Sequence, residues 1–197
     1  MSYLKSKLDV LLQKGCKMSD KNWGIYLNKD KHGTFCNPDA PEKLIRYITR
    51  ASGKRKQELV SWGGAGILEY SVESVIDQFY FAQKAHTRRG EFGRYMSHTL
   101  FSFSPEGEAA LSENGTDIDQ IARQMARDIF EQDDCQVVYG IHTPVKNNLH
   151  KHIHFAINAV NYRTGGKRHE NMAQTEKRNK RFNNIISDII SEKNIEN

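Results

Sequence analysis

The 197-residue chain predicts an α+β fold, a central antiparallel sheet with helices packed on one side of it. Three observations carry that prediction. Apolar residues recur at three- and four-residue spacing in several stretches, the signature of helices with one buried face. In other stretches apolar and polar residues alternate, as they do along half-buried strands. Two of the alternating stretches, CQVVYGIHT and KHIHFAINAV, are joined only by PVKNNL, whose proline and paired asparagines suit a turn. Strands and helices therefore interleave around at least one hairpin, without the regular strand–helix–strand alternation of a parallel sheet.

In chain order, Leu4, Leu8 and Leu11 mark a first short helix, and a polar, turn-rich stretch follows. In PEKLIRYITRAS, Leu44, Tyr47 and Ile48 share a face. Asp39 is placed to cap that helix, Pro41 suits its first turn, and it is expected to stop near Gly53. The helix in SVESVIDQFYFAQKAHTR opens on a Ser71 cap and carries Val75, Phe79 and Phe81. After the Gly/Arg-rich RRGEFGR, the stretch Met96–Ser104 alternates as a strand, ended by Pro105 and Gly107. Ile118, Ile121, Met125 and Ile129 form the stripe of the next helix. The last helix, from about Met172, carries Phe182, Ile185, Ile186, Ile189 and Ile190. No internal repeat or linker divides the chain, so residues 1–197 are expected to form a single domain.

Composition narrows the function. The formal net charge of +5 and the pI of about 9.0 point to an anionic partner. Cys16, Cys36 and Cys135 are odd in number and lack CxxC spacing, so neither a disulfide framework nor a thiolate zinc site is expected, and a reducing cytoplasm suits them. No segment approaches the ~20 apolar residues that span a bilayer, so no membrane insertion is expected.

The richest segment is LHKHIHFAIN. Side chains on a strand alternate faces, so His150, His152 and His154 project one way, and Ile153, Phe155 and Ile157 the other. If His142 on the preceding strand pairs opposite His152, three or four imidazoles converge. That number makes an open divalent-metal site, with the remaining positions left for water or substrate. The alternative is a pH-sensitive surface. Basic residues surround the segment: six Lys or Arg and no acid from Lys43 to Lys56, and seven against two Glu from Arg163 to Arg181. Phosphate backbones are the natural partner of such stretches, and Arg46, Arg50, Lys54, Arg55, Lys167 and Arg168 are the candidate DNA contacts.

HIHFAIN with a histidine on the neighbouring strand resembles the third motif of the HUH-type conjugative and mobilisation relaxases of the MOBP class. LIRYITRASGKR resembles their first motif, and HTLFSFSPEG is similar to their second. The resemblance runs from about Lys43 to Lys167. It implies a palm-like HUH nuclease domain, with residues 1–40 an N-terminal extension. It implies that Tyr47 is the nucleophile and that His142, His152 and His154 hold the metal, with His150 as a neighbour behind them. Ser102 corresponds to the second-motif serine, which holds DNA near the cut. The implied activity is nicking of single-stranded DNA at an origin of transfer through a 5′-phosphotyrosyl link that is later rejoined. Relaxosome accessory proteins and a coupling protein are the implied partners. Mn2+ or Mg2+ is the implied cofactor, although three imidazoles suit Zn2+, Co2+, Ni2+ or Mn2+ better than Mg2+. The link between His142 and His152 is longer than that pattern and lacks its acidic residue. Competing expectations are a rolling-circle replication initiator, in which the tyrosine usually follows the histidines, a metallo-hydrolase unrelated to DNA, and a non-catalytic DNA-binding accessory protein.

Overall fold

A computed structural model describes residues 22–30, 34–51, 55–86, 93–143 and 150–196. The first short helix, Cys16, Gly53, Lys54 and the PVKNNL turn lie outside these residues. Five strands form one sheet: β1 (Gly24–Asn28), β2 (Leu59–Ala65), β3 (Met96–Phe103), β4 (Val137–His142) and β5 (His152–Asn158). Their order is β1-β3-β5-β4-β2, and every neighbouring pair is antiparallel. Among the described residues, five α-helices surround it: α1 (Ala40–Ile48), α2 (Val72–His86), α3 (Pro105–Glu113), α4 (Ile118–Asp133) and α5 (Met172–Glu196).

The helices cover both faces of the sheet, not one as expected. Alternate residues of the central strands are apolar on each side, so each face needs a cover. On one side Phe101, Tyr139, Ile141, Ile153, Phe155 and Ile157 pack against Ile121, Met125 and Ile129 of α4 and Phe182, Ile186 and Ile189 of α5. On the other, Met96, Val138 and Ala156 meet Leu44, Ile45 and Ile48 of α1 and Val75, Ile76 and Phe79 of α2. Phe81, expected with these, is 75% exposed. This second core covers only part of its face. Along β5 the residues on that face run His152, His154, Ala156, Asn158; the helices close over Ala156 and leave the histidine end beside the tip of α1.

Three elements were not anticipated. β1 is an edge strand inside the stretch expected to be an extension, and Asn179 and Asn183 of α5 accept hydrogen bonds from its backbone. β2 contains Gly63 and Gly64, where a Cβ would collide with Tyr139 and with the Val137 carbonyl. Helix α3 starts where Pro105 and Gly107 were expected only to end a strand. Ser104 caps it by accepting from the Gly107 N–H, with Pro105 in the first turn. Among the described residues, no helix is long and apolar enough to cross a membrane.

Candidate active site

The site forms where the end of α1 meets the first half of β5. Helix α1 ends earlier than Gly53. Thr49 is its C-cap, and Arg50 turns the chain with a φ of 49°, a left-handed conformation that a non-glycine side chain adopts at a cost. Asp39 occupies the N-cap position, but its carboxylate makes no capping bond and pairs with Lys43 instead. The early stop leaves Tyr47 on the last turn, 46% exposed. Its ring stands edge-on to His154 at 5.6 Å, to His98 at 6.1 Å and to His142 at 6.4 Å between centroids.

His142 pairs directly opposite His152 in the β4–β5 register, as the sequence predicts. One ring nitrogen from each of His142, His152 and His154 lies within 4.8 Å of the others. Burial pushes the His142 imidazole down to about 4, and the ordinary value of 6.5 is also lowered in His152 and strongly so in His154. The neighbouring imidazoles and Arg50 add to the effect. At neutral pH all three rings are uncharged and keep a lone pair, the state in which histidine binds a metal.

Hydrogen bonds decide which nitrogen carries that lone pair. The His150 carbonyl can only accept, so His152 donates from Nδ1 at 2.9 Å and leaves Nε2 open. His142 donates from Nε2 to the Ile48 carbonyl at 2.7 Å, and its Nδ1 accepts from Arg50 at 3.1 Å. His154 shares its Nδ1 with Nε2 of His98 at 2.9 Å. The set of three neutral nitrogens fits a divalent ion, with one condition: Arg50 must release Nδ1 of His142. His150 itself stands outside the cluster, exposed, its Nδ1 3.6 Å from Glu108. It serves the site through its backbone.

The expected DNA contacts fare unevenly. Ser102 faces the cluster side of the sheet, opposite His152. Arg55 is exposed, and Arg46 is paired with Glu42 and Glu73 on the outer side of α1. Arg50 is buried. It donates to the Tyr47 carbonyl and Glu58, and its guanidinium lies 4.8 Å from the Tyr47 ring centroid. Arg168 is not on the surface: its side chain is 2% exposed and pairs with Asp133 and Glu170. Lys167 donates to the Arg94 carbonyl and lies over the Tyr95 ring, partly buried.

One residue of the site was missed. His98 on β3 packs between Phe35, Tyr47 and His154, and burial pushes its imidazole down to about 4. Its signal was available, since the alternation of MSHTLFSFS puts it on the same face as Ser102.

No curated protein matches the chain. A family model described as relaxase, MobA/VirD2-like, nuclease domain matches residues 47–191, beginning at Tyr47 and taking in every histidine of the cluster. The buried imidazole cluster beside a helix-end tyrosine sits entirely within that match, and the chain belongs to the MobA/VirD2-like relaxases, metal-dependent nuclease domains that nick DNA.

Proposed function

We propose that this domain cuts single-stranded DNA at an origin of transfer by transesterification, with Tyr47 as nucleophile. The observation that carries the reading is the convergence of Tyr47 with His142 and His154, residues far apart in sequence whose rings lie 6.4 and 5.6 Å, respectively, from that of the tyrosine. His142, His152 and His154 would hold a divalent ion, Mn2+ or Mg2+ by this reading, which would supply positive charge to the scissile phosphate as negative charge grows on it. The Tyr47 oxygen bonds to phosphorus and the bond to the 3′ oxygen breaks. The proton lost by the phenol is balanced by the one gained at the 3′ hydroxyl. One phosphodiester replaces another, so the step runs backwards as readily, which suits nicking followed by rejoining. Arg50, whose guanidinium lies 4.8 Å from the Tyr47 ring centroid, holds the nucleophile in place. Ser102, opposite His152 in the β3–β5 register, contacts the strand near the cut in this reading.

By the same reading the domain works in the cytoplasm, with accessory proteins at the transfer origin and a coupling protein as further partners. The test is Tyr47→Phe against a labelled single-stranded oligonucleotide bearing the nick site, with Mn2+ or Mg2+. Covalent adduct should disappear. Adduct formed at the wild-type level would refute the assignment of Tyr47.

A further inference from the structure

We propose that His98 is a positioning residue that sets the proton on His154 and so decides whether His154 can take part in the metal centre. The inference rests on the metal reading above. His98 Nε2 and His154 Nδ1 are 2.9 Å apart, with ring centroids 5.1 Å apart. A histidine binds a metal as a neutral ring with one N–H, and across the 2.9 Å contact one nitrogen donates while the other accepts. Two arrangements satisfy the bond. If His98 donates, the single proton of His154 must sit on Nε2 and no lone pair remains there. If His154 donates from Nδ1, its Nε2 is open, matching the open Nε2 of His152. The second arrangement alone leaves both β5 histidines ready to bind.

The chain holds His98 in place for this task. Its backbone N–H donates to Asp30 at 2.8 Å, and its carbonyl accepts from the Lys29 N–H at 2.8 Å. The Asp30 carboxylate is itself fixed by Arg94 and Ser97. The ring is wedged between Phe35 and Tyr47. The partner behind a metal-binding histidine is commonly a carboxylate. An imidazole orients the ligand equally well but brings no negative charge. Three neutral ligands backed by a neutral acceptor leave the full divalent charge facing a phosphate, the substrate that gains most from it.

The experiment is calorimetric titration of Mn2+ and Ni2+ into the wild-type chain, His98→Ala and His98→Gln, with melting of the metal-free proteins to establish that each is folded. Alanine removes the acceptor, and affinity should fall roughly 10- to 100-fold. Glutamine returns an acceptor oxygen and should restore affinity to within about threefold of wild type. Unchanged affinity in His98→Ala overturns the proposal, as does a glutamine variant as weak as alanine, which would mean that only packing was lost. A wild-type chain that binds neither ion brings down the metal reading itself. Should the variants not fold, long-range proton–nitrogen spectra of metal-free wild type decide the matter: a proton on Nδ1 of His154 supports the proposal, and one on Nε2 overturns it.

Discussion

Gly140→Ala should disable the site from beneath. Gly140 lies in β4, two residues before His142, where the end of α1 presses onto the sheet. A Cβ at this position would sit closer than 3.0 Å to both the carbonyl carbon and oxygen of Ile48, and 3.5 Å from Nε2 of His142. Neither side can yield easily, since one is backbone at a helix end and the other a central strand. Relieving the overlap requires the helix end to lift by roughly 1 Å, and an overpacked core contact of this kind costs about 1–3 kcal/mol. The fold should survive that loss. The lift would carry Tyr47 and Arg50 away from the histidines and stretch the bond from His142 to Ile48. A misplacement of about 1 Å lowers the rate of an oriented reaction by roughly 100-fold. Single-turnover formation of the covalent adduct, followed alongside thermal melting, measures both effects. A folded Gly140→Ala chain that forms adduct at the wild-type rate would refute the argument that this close approach positions the nucleophile.

Three further outcomes are expected. In chelator, stability should decline as pH falls from about 6.5 towards 4, because the unfolded chain takes up protons that the buried imidazoles refuse. For His142, held down to about 4, the loss reaches ~3 kcal/mol at the lower limit, and urea unfolding that is flat or more stable across this range would contradict it. Arg50→Gln should tighten metal binding by roughly fivefold, since about 1 kcal/mol of hydrogen bond to His142 no longer has to be broken, while adduct formation slows; weaker binding on calorimetry would sink the competition between Arg50 and the ion. Arg178→Ala should cost about 1–3 kcal/mol, because Arg168 alone would be left to pair with Glu170 and Asp133, and a denaturation midpoint near wild type would show that the second guanidinium is dispensable.

What the sequence disclosed was whatever is written locally. The stripes of α4 and α5, the alternation of β3, β4 and β5 and the opposition of His142 and His152 depend on spacing within one element or one hairpin. β1 stayed hidden because five residues of an edge strand carry little pattern, and β2 because Gly63 and Gly64 break its alternation where Tyr139 and Val137 crowd in. His98 was overlooked for a different reason. Its value depends on β3 lying beside β5, a pairing across more than fifty residues that no local pattern announces. The burial of Arg168 was hidden for the converse reason. The residue stands in a basic run, but Asp133, which neutralises it, comes from the end of α4, 35 residues earlier.

The order β1-β3-β5-β4-β2 also governs when the protein becomes dangerous to DNA. The last strand to be synthesised occupies the middle of the sheet. Until β5 arrives, the chain can offer only two separate ribbons, β1 with β3 and β2 with β4, each marginal alone and each with bare edges. Tyr47 already exists at that stage, but His152 and His154, two of the three histidines that could hold a metal, do not. Under the proposed mechanism Tyr47 therefore has no metal centre to work with until the central strand locks in, and a chain broken off before His152 should form no adduct. Such closure by a distant strand is slow, so the same arrangement that delays the armed state leaves those ribbon edges open to other chains for longer.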